Sequence, residues 1–137
     1  MGYESQCLGQ GHGRVADVIA KYRDNAYPKS YALIVDAKAY EKYTFPAGDV
    51  RKMKEYIKFH GEELMQDMIP NHAFAFISVS FNNPDEKLEE IAKETAVSGT
   101  AIDIYTFLEL CSNVARRQIS ISGIYSAFTT NQQFVCM

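Results

Sequence analysis

An aspartate and a lysine two residues apart, Asp36 and Lys38, close an apolar run that begins Tyr31-Ala32-Leu33-Ile34-Val35, and a second aspartate, Asp17, stands upstream. Two carboxylates and an amine gathered at one strand end can hold a divalent metal and cut phosphodiesters. Carboxylate oxygens suit a hard cation, and an ammonium suits the charge that develops on a reacting phosphate. In a strand, successive side chains point to opposite faces. Ala32, Ile34, Asp36 and Lys38 therefore share one face, and Leu33, Val35, Ala37 and Ala39 the other. The run is apolar on both faces until Asp36, which is the pattern of a central strand covered by helices on both sides, where an unpaired charge is costly. Asp36 needs a partner. Taken alone, the stretch is explained slightly better by an i, i+2 salt bridge with Lys38 at a solvated strand end.

The surrounding elements must bring these residues together. Residues 14–22 carry β-branched and apolar side chains suited to a strand, and 25–29, with Pro28, read as a turn. Strand, turn and the run from Tyr31 then form a hairpin that lays Asp17 alongside Asp36. Pro46 and Gly48 break the chain and Asp49 is placed to cap a helix. Val50, Met53, Ile57 and His60 recur at helical spacing, which predicts a helix from near Asp49 into the low 60s. Its other face carries Arg51, Lys52, Lys54, Glu55 and Lys58. A second apolar strand follows over 73–80. After it come a turn at Asn82-Asn83-Pro84, a helix over 85–95, a strand over 99–104, and helices over 106–116 and 122–129. The alternation predicts an α/β fold, a mixed central β-sheet flanked by helices on both faces, with the candidate site at one edge.

At 137 residues and 47% hydrophobic content the chain fits one domain with a real core. A net charge of −3 gives no global case for nucleic-acid binding. Any such contact has to come from local basic patches or from another domain. Cys7, Cys111 and Cys136 are odd in number and form no CxxC pair, which favours reduced thiols over disulfides or zinc. No run of about 18 apolar residues exists to span a membrane, and the amino terminus lacks signal-peptide character. His12, His60 and His72 lack the spacing of a metal pair. His60 falls on the apolar helix stripe and reads as core, and His72 reads as the start of a strand.

With Asp17, Asp36 and Lys38 in place, the chain resembles nucleases of the PD-(D/E)XK superfamily, and more closely the cleavage domains of FokI-type (type IIS) restriction endonucleases. Val35-Asp36-Ala37-Lys38-Ala39-Tyr40 is similar to the family's Val-Asp-Thr-Lys-Ala-Tyr. Gly2-Tyr3, Leu8-Gly9 and Arg14 resemble the approach to the first acid, and Phe45-Pro46-Ala47-Gly48 with Met53 and Tyr56-Ile57 resembles the Leu-Pro-Ile-Gly entry to the next helix. The core strand Phe74 to Phe81, then Ser98-Gly99-Thr100-Ala101 and Ile119-Ser120-Ile121, continue the similarity almost end to end.

The resemblance implies a restriction-endonuclease-like fold and Mg²⁺ held by Asp17, Asp36 and the backbone carbonyl of Ala37, with Mn²⁺ as a substitute. It gives Lys38 the role of orienting the attacking water or helping to deprotonate it, and of stabilising the transition state. It also implies double-stranded DNA as substrate, a 5′-phosphate product, Arg14 as a phosphate contact, action by two copies, and the cytoplasm of a prokaryotic cell. Four departures accompany it. Ala16 stands where the family has proline before the first acid. The family's helix ahead of the site, and a DNA-recognition domain, would lie outside residues 1–137, which makes the chain a cleavage-domain fragment. Asp49 replaces a glutamine, and either adds an acid near the metal or serves only as the helix cap. Arg51 and Glu55 fall where the family's dimerising helix carries an acid and a base, with the charges exchanged; they pair across two copies or within the helix. Rival readings are another nuclease of the superfamily, in repair or as a toxin, and a non-catalytic module for dimerisation or DNA docking.

Overall fold

The computed structural model describes residues 4–7, 17–23, 29–38, 40–116 and 121–134. Five strands form one sheet in chain order: β1 (Glu4–Cys7), β2 (Val18–Tyr22), β3 (Tyr31–Ala37), β4 (Asn71–Ser78) and β5 (Gly99–Asp103). β1, β2 and β3 pair antiparallel, and β3, β4 and β5 pair parallel. The sheet is mixed, as expected, and β3 lies at its centre. The site is therefore at the end of the middle strand and not along a sheet edge. The β2–β3 hairpin aligns Val18 with Val35, and the next pair in that register is Asp17 with Asp36. β1 was not anticipated, because Glu-Ser-Gln-Cys shows neither apolar alternation nor β-branched enrichment.

Parallel pairing of β3 with β4 requires a crossover, and α1 (Ala47–Gln66) supplies it, followed by α2 (Pro84–Thr95), α3 (Ile104–Ala115) and α4 (Ile121–Ala127). The two faces of β3 read out in two cores. Ala32 and Ile34 join Ile19, Phe74 and Phe76 beneath Val50, Met53, Ile57 and Leu64 of α1 and Leu88 and Ile91 of α2. On the opposite face Tyr31, Leu33 and Val35 join Ala73, Ala75 and Ile102 beneath Leu110, Val114, Ile124 and Phe128 of α3 and α4. Helices cover both faces. Asp17, Ile19 and Lys21 share the parity of the α1 side, as do Ile34, Asp36 and Lys38, so the candidate side chains meet α1. His60 is buried within α1, and His72 is the second residue of β4.

Helix boundaries shift by one or two residues from expectation, apart from the end of α1, which runs past the low 60s to Gln66, and one shift changes a role. α1 starts at Ala47 with Pro46 at the N-cap position and no side-chain cap bond. Proline fixes the backbone at the entry and Asp49 N already donates to Pro46 O at 2.9 Å. Asp49 is thus inside the first turn and is not the cap. At α3, by contrast, Asp103 caps as such a residue should, accepting from Thr106 N at 2.8 Å. No helix among the described residues is long and apolar enough to cross a membrane.

Candidate active site

β3 carries Asp36 to its carboxyl end in a position that is only 3% exposed. Asp17 enters from the start of β2 and its Oδ2 accepts a hydrogen bond from Ala37 N at 3.0 Å. An extended residue turns its N–H and C=O to the same strand edge, so the Ala37 carbonyl also faces the Asp17 side. Lys38 Nζ reaches Asp36 Oδ2 at 3.0 Å, and Lys38 N is fixed by Ile77 O at 2.7 Å. The salt bridge read from the sequence therefore forms, but in a buried setting. Among the described residues, Asp36 Oδ2 is buried with no hydrogen bond.

Burial, and then the neighbouring Asp17 carboxyl, push Asp36 up from 3.8 to about 6, while contact with the Lys38 ammonium opposes the rise. Burial alone would lower Lys38. Close contact with the Asp36 carboxylate and its charge, with the charges of Asp49 and Asp17, outweigh that and hold it above its ordinary value. Lys38 is a cation here. A carboxylate whose ionised form is penalised by burial, with an unsatisfied oxygen beside a second carboxylate, is a group that gains from a cation. Asp17, Asp36 and the Ala37 carbonyl are all oxygen donors, which fits Mg²⁺, an ion commonly bound through one or two carboxylates with water completing the shell. No group of three or more His, Cys, Asp or Glu close enough to hold a metal occurs among the described residues.

Asp49 also comes to the site. Its Oδ2 accepts from the Tyr43 hydroxyl at 2.8 Å and stands 3.9 Å from Lys38 Nζ. Its side chain does not cap α1 and is turned instead toward Tyr43 and Lys38. Arg51 and Glu55 lie on the exposed side of α1, and no ion pair joins them among the described residues. Arg14 and His12 fall outside the described residues.

Two tyrosines had no assigned role from the sequence. Tyr43 is 1% exposed and meets Asp49. Tyr56 sits two helical turns beyond Asp49 on the same side, and its phenol is pushed up by burial and then by the charge of Asp36. The seven-residue spacing of Asp49 and Tyr56 was the available signal; it merged with the apolar stripe of α1.

A mixed five-stranded sheet, helices on both faces, and Asp, Asp and Lys converging at the carboxyl end of its middle strand define a restriction-endonuclease-like domain. The chain belongs to the FokI cleavage-domain family, whose sequence profile matches residues 1–135. It is similar to two solved structures of the restriction endonuclease FokI. One is bound to DNA, and each superposes with a TM-score of 0.82 at 20% identity over 98% of this chain. The chain spans about a quarter of the length of those proteins, 25% and 26%. No curated protein sequence matches it.

Proposed function

We propose that the chain is a Mg²⁺-dependent, DNA-cleaving domain of a type IIS restriction endonuclease that hydrolyses phosphodiester bonds in double-stranded DNA, with sequence recognition residing in a separate domain. The observation that carries this reading is the meeting of Asp17, Asp36 and Lys38 at one strand end, with a buried carboxylate oxygen of Asp36 that no described residue hydrogen-bonds.

When bound, Mg²⁺ (or Mn²⁺) supplies neutralisation of the negative charge that builds on the reacting phosphate. Asp17 and Asp36 hold it from two strands, and the Ala37 N–H keeps the Asp17 carboxylate turned to the site. Lys38 orients the attacking water and stabilises the pentavalent phosphorane as a fixed positive charge. Its elevated proton affinity favours that role over proton abstraction. Arg14 contacts a DNA phosphate. Because one site cuts one strand, double-strand cleavage needs two copies, and the exposed α1 face with Arg51 and Glu55 is the surface through which they pair.

The test is cleavage of supercoiled plasmid with and without Mg²⁺ by the full-length enzyme, read as nicked and linear product. Mg²⁺-dependent products that disappear in Asp36→Ala and Lys38→Ala are expected. Undiminished cleavage in either variant would refute the assignment.

A further inference from the structure

We propose that Asp49, fixed by the Tyr43 hydroxyl, is a positioning residue for Lys38: a second anchor that keeps the ammonium on the site when a cation engages Asp36. The proposal rests on the nuclease reading above and adds a residue that the reading does not require.

Lys38 lies between two carboxylates, 3.0 Å from Asp36 Oδ2 and 3.9 Å from Asp49 Oδ2. The nearer oxygen is the one left without a hydrogen bond, and so the one a cation would take. Engaging it removes the closest partner of an ammonium carried on a flexible four-carbon stem. Asp49 then offers the adjacent negative charge, and a shift of about 1 Å turns an ion pair into a hydrogen bond.

An anchor must itself be held. Tyr43 N donates to Ser80 O, and Tyr43 O accepts from Asn82 N, both at 2.9 Å. Its ring packs at 4.6 Å from Phe45, and at 5.8 Å from both Phe76 and Tyr40. Burial, and then the hydrogen bond to Asp49, keep its phenol far above the ordinary range, so it remains a neutral donor. The local alternative for Asp49, capping α1, is not used. The carboxylate is thus held toward Lys38 by a rigid donor.

Side-chain ammonium NMR of the full chain labelled with [¹⁵N]lysine tests this directly. An ordered Lys38 signal should persist in Asp36→Asn and vanish in the Asp36→Asn/Asp49→Asn double variant. Tyr43→Phe, which keeps the packed ring, should weaken the signal in the Asp36→Asn background. Loss of the signal in Asp36→Asn alone, or its survival in the double variant, overturns the proposal. In single-turnover cleavage at saturating Mg²⁺, Asp49→Asn should slow the reaction about tenfold and Asp49→Glu should recover part of the loss. Mn²⁺ uptake by calorimetry should be unchanged. An unaltered rate overturns the role, and lost Mn²⁺ uptake makes Asp49 a metal ligand instead. Absence of cleavage by the wild-type enzyme would refute the nuclease reading, while the ammonium spectra would still decide the anchor.

Discussion

Two charge clusters fasten α1 to the β2–β3 hairpin, one at each end of the helix, and they are built in opposite ways. At the carboxyl end Asp67 sits between two cations, 3.0 Å from Lys21 Nζ and 2.7 Å from Arg23 Nη2, and Arg23 also donates to its backbone carbonyl. At the amino end Lys38 is, among the described residues, the one cation facing the acids Asp36, Asp49 and Asp17. The first cluster is open to water, with the Asp67 side chain 42% exposed, and hydrogen bonds from Lys21 and then Arg23 hold Asp67 below its ordinary value. The second is centred on the buried Asp36, with Lys38 and Asp49 20% and 21% exposed, and among the described residues its acids outnumber its cation. Both tie the same elements, so fastening alone does not require the second arrangement. On the function proposed above, the amino end is where an added cation would be taken up.

The largest effect should come from removing that surplus. Asp36→Asn in the full-length enzyme is expected to lower Mg²⁺-dependent plasmid cleavage on the order of a thousandfold. If cleavage survives within a few fold, the two clusters do not differ in function and the comparison loses its meaning.

Much of this contrast was legible in the sequence, and the reasons are local. The parity of Ile34, Asp36 and Lys38 placed two charges on one face. The hairpin reading brought Asp17 to them, because register follows from strand pairing. The mixed sheet was legible from alternation, and the family from ordered similarity around Val35 to Tyr40. Burial was not legible: Asp36 looks the same in sequence at a solvated strand end as at 3% exposure. Asp49 misled because Pro46 and Asp49 both begin helices well, and only the backbone shows that Pro46 came first. Tyr43 was hidden in a loop whose path is set by its bridge to Phe81, 38 residues later. The β1 strand was missed because its pairing with β2, and not its own composition, makes it a strand.

The sheet between the clusters gives a perturbation that touches neither. Gly99 opens β5 against the Phe74 ring, and a Cβ there would overlap Phe74 Cδ2. Gly99→Ala forces the ring or the strand to shift, at a cost of about 1–3 kcal/mol in urea unfolding. If both clusters are hung on this sheet, the variant should lose stability while its residual folded fraction still cleaves DNA. An unchanged midpoint would mean that the strands separate there at no cost.

Proton linkage should then read the two clusters with opposite sign. Asp36 binds its proton more tightly in the folded chain than in the unfolded one. Its contribution to stability is full at low pH and is lost as pH rises from about 4 through about 6. For the metal-free chain that loss is on the order of 3 kcal/mol. Asp36→Asn should therefore raise Tm at pH 8 in the presence of a chelator and give little or no gain near pH 4. Added Mg²⁺ should recover part of the lost stability in the wild type and none in the variant. A wild-type Tm that does not depend on pH across this range would contradict the buried, unneutralised state of Asp36.

Asp67 should give the smallest effect and the reverse slope. Its proton is held less tightly in the folded chain, so the stability it contributes is present above the unfolded-state value and is lost as pH falls through the folded one. Asp67→Asn should lower Tm slightly at neutral pH, and the difference should fade at high salt, since the cluster is exposed and screened. Cleavage should be unchanged. A loss of activity in Asp67→Asn equal to that in Asp36→Asn would mean that the carboxyl end of α1 holds the site as firmly as the amino end does. The division between a fastening cluster and a chemical one would then fail.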